Sequence, residues 1–359
     1  MDVVVIFLGK RGAGVRFVEI FQNFYHLEEN VNLKSLTSRG VAYGNLPSSY
    51  TSLTVKALEN WKSIARSPFI IWQFVQVLRK IPNWRKNIFI FVLPAVSDFF
   101  LYRILSIFGV SIVTLVHDLH RHPGDKWPWK SSIKFRIKKS TKVITLSEFV
   151  NRQLSTEYKI ESFVLPHPVF PLLRYVDLNS IIDTKRKYIL FVGRIRNYKG
   201  VDLLLKSYLQ SNSKDQFDLV IAGEGEFKKV DDRRVVYLNR WLQDIEIETL
   251  IEHAAFVVFP YTEATQSGII PTCIVLNKPI IVSDSGALSE QLEKYSDWTS
   301  FQSGDENHLR FTIDEYGQRY LDGNFSDHRI QAAREESETS SINFVRSVLK
   351  ICKSLDPKS

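Results

Sequence analysis

Two series of short apolar runs, each alternating with helical patterns, restrict this chain more than any other feature of its sequence. Val3–Leu8, Ile88–Leu93, Ser111–Val116, Lys142–Leu146 and Phe163–Leu165 are short, apolar and rich in β-branched residues. Such runs suit strands buried on both faces of a parallel sheet. A second series follows, with Tyr188–Val192, Phe217–Ala222, Val235–Leu238, Phe256–Phe259 and Pro279–Ser283. Helical patterns fill several of its gaps: Gly200–Ser211, Asp244–His253 and Gly268–Asn277. Between the series lies Pro166-His167-Pro168-Val169-Phe170-Pro171, whose prolines forbid helix and ladder pairing and mark a linker. The expectation is an α/β protein of two Rossmann-like domains facing each other across a cleft, with ligands beyond the carboxyl ends of the strands.

Composition removes other classes. In 359 residues, 44% are hydrophobic and 24% charged, which fits a globular chain and not a disordered or fibrous one. Its two cysteines, Cys273 and Cys352, give no zinc spacing and no disulfide framework, so a reducing cytoplasm is expected. No basic segment precedes the first strand, so no signal peptide is expected. Phe99–Val116 is the most apolar stretch, but it contains Arg103 and is too short to span a bilayer. It reads as a buried helix, Phe99–Phe108, stopped by Gly109 and followed by a buried strand. Residues 1–170 carry 23 Lys and Arg against 11 Asp and Glu, a net of +12, whereas the remainder is at −4. A basic first half suggests an anionic partner.

Four segments carry candidate chemistry, each directly after a strand. Gly9-Lys10-Arg11-Gly12-Ala13-Gly14 could bring backbone N–H groups to a phosphate, although its glycine order matches no dinucleotide or P-loop signature. A tight strand-to-helix turn is the plainer reading of it. The run from His117 to Asp125 places His117, His120 and His122 beside Arg121. These histidines could bind sugar hydroxyls or exchange a proton near neutrality. Their spacing matches no zinc pattern, so no metal is expected. Gly193-Arg194-Ile195-Arg196-Asn197-Tyr198-Lys199-Gly200 suits a diphosphate, because Arg grips oxygens bidentately and Lys supplies a point charge. Pro260-Tyr261-Thr262-Glu263-Ala264-Thr265-Gln266-Ser267-Gly268 opens a helix pattern with small hydroxyl residues, as a phosphate site would, with Glu263 as its one carboxylate.

Taken with Ala222-Gly223-Glu224-Gly225-Glu226 and Pro279, the last two segments resemble the C-terminal half of family-four glycosyltransferases. The loop at His117 resembles that of bacterial members building surface polysaccharides. The resemblance implies a GT-B fold, with an N-terminal acceptor domain at 1–168 and a C-terminal nucleotide-sugar domain at 169–340. The amphipathic C-terminal segment, 341–359, is expected to pack back on the first domain. The resemblance further implies sugar transfer from a nucleoside diphosphate sugar to an acceptor hydroxyl, retaining and without metal or cofactor. Arg194 and Lys199 would hold the diphosphate and His117 would face the donor sugar. Gly9, Gly12 and Gly14 would lie against the donor phosphate or the acceptor, and Gly193, Thr265, Gln266, Ser267, Gly268 and Thr272 would line the donor site. Asn239-Arg240 would line the base. The common family pattern has two Glu residues where this chain has Ala264 and Thr272. It follows instead a P-Y-x-x-A-T-Q-S-G variant, in which Glu263 is the candidate substitute.

The acceptor is expected to be a lipid-linked sugar at the inner face of the plasma membrane, with the enzyme peripheral on that surface. Trp127 and Trp129 stand among six cations from Lys126 to Lys139, and Trp61, Trp72 and Trp84 occupy another basic stretch. That mixture suits an anionic interface. Lys10, Arg11, His120, Arg121 and His122 are grouped with this acceptor or membrane side. No nucleic-acid motif is present, and no nucleic-acid partner is expected. Two other readings stay open: a non-catalytic partner protein that keeps the fold, and a sugar-nucleotide epimerase.

Overall fold

A computed structural model describes residues 1–9, 12–39, 41, 52–56, 67–120, 130–173, 176–325 and 330–355. It divides into two compact units. The first comprises residues 1–121, 125–170 and 339–359, and the second 122–124 and 171–338.

In the first unit the order is β1 (Asp2–Phe7), α1 (Ala13–Phe24), β2 (Asn32–Ser38), β3 (Ser52–Val55), α2 (Ser67–Arg79), β4 (Ile88–Phe91), α3 (Asp98–Ile107), β5 (Ile112–Val116), α4 (Lys130–Lys139), β6 (Lys142–Thr145), α5 (Glu148–Tyr158) and β7 (Phe163–Val164). The strands form one parallel sheet in the order β3-β2-β1-β4-β5-β6-β7. Alternation along β1 builds both sides of the core. Val3, Val5 and Phe7 meet α1 through Phe17 and Phe21, while Val4 and Ile6 meet Phe74, Leu78, Leu101 and Leu105 of α2 and α3.

In the second unit follow β8 (Tyr188–Val192), α6 (Val201–Gln210), β9 (Asp218–Ala222), β10 (Val235–Leu238), α7 (Asp244–His253), β11 (Phe256–Phe259), α8 (Ile270–Val275), β12 (Ile280–Ser283), β13 (Trp298–Phe301) and α9 (Glu306–Leu321). The last helix, α10 (Ile330–Lys353), runs past residue 338, where the chain re-enters the first unit. Its Phe344, Val345, Val348 and Leu349 join the β1–α1 core there. The second sheet is parallel throughout, in the order β10-β9-β8-β11-β12-β13. Strand direction of winding reverses between β8 and β11, so the loops after these strands flank the switch point where doubly wound sheets take ligands.

Three strands fall outside the apolar series of the sequence: β2, β3 and β13. β2 buries Ser35, Thr37 and Ser38, with the Ser38 hydroxyl donating to the Leu8 carbonyl at 2.7 Å. These buried polar residues keep its hydropathy low, so hydropathy does not reveal it. The reading of Phe99–Phe108 as a buried helix needs correction. α3 buries Leu101, Tyr102 and Leu105, but Arg103, Ile107 and Phe108 are exposed. α10 begins eleven residues before the expected Ser341, and α8 is shorter than Gly268–Asn277.

Candidate active site

Four loops of the second unit meet at the switch point. After β8 the chain turns at Gly193, crosses a 3-10 turn at Asn197–Lys199 and enters α6 through Gly200. Gly200 has φ +67°, and a Cβ there would lie 1.8 Å from the Pro260 carbonyl oxygen. Gly223, with φ +144°, leaves room for the Gly193 carbonyl, which a Cβ would approach to 1.9 Å. Only glycine permits both the conformation and the approach. The β8 loop is therefore pressed against the loops after β9 and β11. Hydrogen bonds fix the seam: Ile195 N–H donates to the Glu224 carbonyl at 2.9 Å, and Thr262 N–H to that of Tyr198 at 2.7 Å. Gly225 N–H donates to Asn239 Oδ1 at 3.1 Å, tying in the loop after β10.

The cations of this loop are held differently. The Lys199 ammonium sits 3.5 Å from the centroid of the Tyr261 ring, a cation–π seat on the first residue beyond Pro260. Tyr261 is buried, and burial pushes its phenol above the usual range, so it remains a neutral ring. Arg194 is exposed, and no hydrogen bond or ion pair holds its guanidinium among the described residues. One cation is pre-placed and the other is available, which suits gripping a ligand diphosphate.

The segment after β11 is more enclosed than its sequence suggests. Thr265, Gln266 and Ser267 are buried, while Glu263 and Gly268 are exposed and Thr272 is half-buried. Ser267 N–H donates to Gln291 Oε1 at 2.7 Å, and Gln291 Nε2 donates back to the Ser267 carbonyl at 3.1 Å. Regular helix begins only at Ile270, so the row of open N–H donors expected at 265–268 is shortened by one donor committed internally. Arg240 forms a two-point contact with Glu246, at 2.6 and 3.1 Å, and this contact holds the Glu246 carboxyl below the usual range. Its guanidinium is thus engaged by α7, with the neighbouring Trp241 partly exposed beside it.

The remaining expected residues that are described lie in the first unit. His117 follows β5, with Nδ1 2.8 Å from Asp118 Oδ2, a contact that orients the ring. Its ring meets that of His167 edge to face, at 5.8 Å between centroids. His167 is buried, and desolvation, with the nearby His117, holds it down to about 3; its Nδ1–H donates to the Pro168 carbonyl at 2.8 Å. His120 Nε2 lies 2.6 Å from Glu157 Oε1, which ties this loop to α5. Gly12 opens α1, whereas Gly9 and Gly14 lie over the Phe7 ring, 2.4 and 2.2 Å from where their Cβ atoms would fall. Lys10, Arg11, Arg121, His122, Trp127 and Trp129 lie outside the described residues. Tyr261 and Gln291 are positioning residues that the sequence does not point to: Tyr261 lies within the segment after β11 without a distinguishing charge, and Gln291, 24 positions beyond Ser267, carries no local signal.

A doubly wound sheet whose switch point carries a glycine-hinged, cationic loop defines a protein of the α/β class. Residues 186–315 match the family model described as Glycosyl transferases group 1. No curated protein sequence matches the chain. Among solved structures it is similar to sucrose-phosphate synthase from Thermosynechococcus elongatus (TM-score 0.76, 13% identity, 100% of each chain covered). It also resembles a glycosyltransferase from Rickettsia africae (TM-score 0.69, 15% identity, 100% of this chain and 99% of that one). A third is Anabaena HepE in complex with UDP and glucose (TM-score 0.66, 12% identity, 99% and 100%). At these identities the likeness establishes the fold. Residues 186–315 thus carry the Glycosyl transferases group 1 domain, within a chain whose two parallel α/β sheets match the GT-B fold of these neighbours.

Proposed function

We propose that the chain transfers a sugar from a nucleoside diphosphate sugar to a lipid-linked sugar acceptor during surface polysaccharide assembly, with retention of configuration. The observation that carries the donor half is the seating of Lys199 on Tyr261, with exposed Arg194 on the same loop at the switch point. When the bond to the leaving diphosphate breaks, negative charge accumulates on its oxygens. Pre-placed cations stabilise that charge without reorganisation. His117, oriented by Asp118, is assigned to the transferring sugar, and Glu263 to hydroxyl groups of the donor. No protein nucleophile and no metal are invoked. The first unit is the acceptor domain in this reading, and its basic character suits the inner face of the plasma membrane.

The test is a thermal-shift screen of nucleoside diphosphates and their sugars. A ligand of the folded state raises the melting temperature by mass action. Stabilisation by one base over the others identifies the donor class. No shift with any nucleotide overturns the donor assignment and favours a non-catalytic partner protein.

A further inference from the structure

The outer side of the α2–α3–α4 layer of the first unit has an unusual charge distribution. Residues 67–109 and 130–142 contain a single carboxylate, Asp98, and it is buried. Against this, Arg79 and Lys80 end α2, and Arg85 and Lys86 occupy the turn that follows, all exposed. Arg103 is exposed on α3. On α4, Lys130, Lys134 and Lys138 repeat once per turn, with exposed Lys139 beside them. Residues four apart share one helix face, about 6 Å along the axis. None of these cations is in an ion pair among the described residues. The three helices are contiguous, α2 packing on α3 and α3 on α4, so the charges belong to one layer.

The same layer exposes large apolar side chains. On α2, Phe69 and Trp72 are 51% and 56% exposed and stack at 5.8 Å. At the end of α3, Ile107 is 76% exposed and Phe108 48%. Arg85 lies over the Phe108 ring at 4.6 Å, and Arg103 over Phe99 at 5.6 Å, so cationic heads lie over aromatic bodies. Exposed apolar groups rimmed by cations, with no exposed carboxylate within residues 67–109 and 130–142, match the two components of an anionic bilayer surface. Nucleic acid would use the charge, but gives an exposed isoleucine nothing to bury against.

We infer that the outward face of α2, α3 and α4 docks the protein on an anionic phospholipid membrane. Phe69, Trp72 and Ile107 enter the headgroup boundary, and Arg103, Lys134 and Lys138 neutralise lipid phosphates. This deepens the acceptor reading, on which it rests, and narrows the two basic, Trp-bearing stretches expected from the sequence to the described residues of the helix layer. Docking is read without donor or acceptor, so its failure and that of the transfer reading are separable.

The experiment is flotation of the full chain with vesicles of phosphatidylcholine alone, or with about one third phosphatidylglycerol, at about 0.1 M and about 0.5 M salt. The wild type is expected to float with the anionic vesicles only, and less at high salt. Lys134→Glu/Lys138→Glu is expected to lower the bound fraction constant at least tenfold, and Phe69→Ser/Trp72→Ser at least threefold. Lys206→Glu/Lys350→Glu makes the same change in net charge on other surfaces, and is expected to float as the wild type does. Melting curves verify that each variant is folded. Failure of the wild type to float, equal flotation with neutral vesicles, or identical behaviour of the α4 pair and its control would each overturn the proposal. Binding of a short RNA duplex with the vesicles ignored would assign the face to nucleic acid, with the same consequence.

Discussion

The loops after β1 and β8 occupy the same place in the same strand order, yet they are built for different purposes. Each follows the strand that stands third in its sheet, beside the switch point. After β1, Gly9 and Gly14 are small because the Phe7 ring lies against them. After β8, Gly200 is small because the backbone of the next loop does, and the space is shared with Pro260 and a cation seated on Tyr261. Topology thus fixes where a ligand end can form, while side-chain chemistry decides which end becomes a polar site. The first unit spends its glycines on packing an aromatic ring. In the second unit they hold two loop backbones together and present charge.

The sharpest way to break this comparison is to add one methyl group at each loop. Gly200→Ala forces a Cβ to 1.8 Å from a carbonyl oxygen at φ +67°. Backbone must move, and a loss of about 3 kcal/mol or more is expected, together with loss of nucleotide response. Gly12→Ala also has positive φ, at +88°, but nothing lies within 4 Å of the new atom. About 1–2 kcal/mol is expected there. Denaturant midpoints of the two variants measure the difference; equal losses would mean that conformation alone, and not the seam between loops, governs the second site.

Next in size is the effect on turnover. In the proposed donor reading, Arg194→Ala or Lys199→Ala removes charge stabilisation from the departing diphosphate, and a loss on the order of 100-fold in donor-dependent nucleotide release is expected. Near-normal rates in both variants would remove the β8 loop from the mechanism. Under the same reading, His117→Ala lowers turnover and leaves nucleotide affinity unchanged, because the histidine belongs to the other unit.

These contrasts also show what the sequence could reveal. Strands buried on both faces, such as β8 and β11, are continuous apolar runs, and hydropathy finds them directly. β2 escapes because it buries the polar Ser35, Thr37 and Ser38, the last hydrogen-bonded to Leu8, and β13 because it is a half-exposed edge strand, Trp298–Phe301. The cationic loop was legible, since Arg194, Lys199 and the bracketing glycines lie within eight consecutive residues. Its support was not. Gln291 reaches Ser267 across 24 positions, and Glu246 engages Arg240 by closing the N-terminal turn of α7, a use no spacing rule announces. Exposure of the α2–α4 layer was hidden for another reason: apolar residues on a helix read as core until the neighbour that would bury them is found to be absent.

A smaller effect concerns the first unit's own carboxyl-end chemistry. His167 is buried between the rings of Phe17 and Phe170, and is held down to about 3 from an ordinary 6.5. The unfolded chain takes up a proton below pH 6.5, and the folded chain does not until about pH 3. The contribution of this residue is therefore complete above pH 6.5 and is lost as pH falls towards 3, at about 1.4 kcal/mol per pH unit. His167→Phe should remove this dependence. Subtracting variant from wild type isolates it from buried Asp98, whose carboxyl is raised to about 7 and whose slope has the opposite sign. Parallel stability curves for the two proteins between pH 4 and pH 7 would show that His167 is not held neutral.

The smallest expected effect tests the seat itself. Tyr261→Phe keeps the ring beneath Lys199 and loses only a hydroxyl whose distance to Ser267 Oγ, 3.4 Å, marks a weak bond. Turnover near that of the wild type is expected. Tyr261→Leu keeps an apolar side chain but removes the π-face, which is worth about 0.5–2 kcal/mol to an ammonium. If the face pre-places Lys199 for the diphosphate, turnover of the folded Leu variant falls by about 2- to 30-fold while the Phe variant is spared. A loss confined to melting temperature, with equal turnover in both variants, would reduce Tyr261 to a packing residue. The second loop would then differ from the first in its charges alone, and not in how they are held.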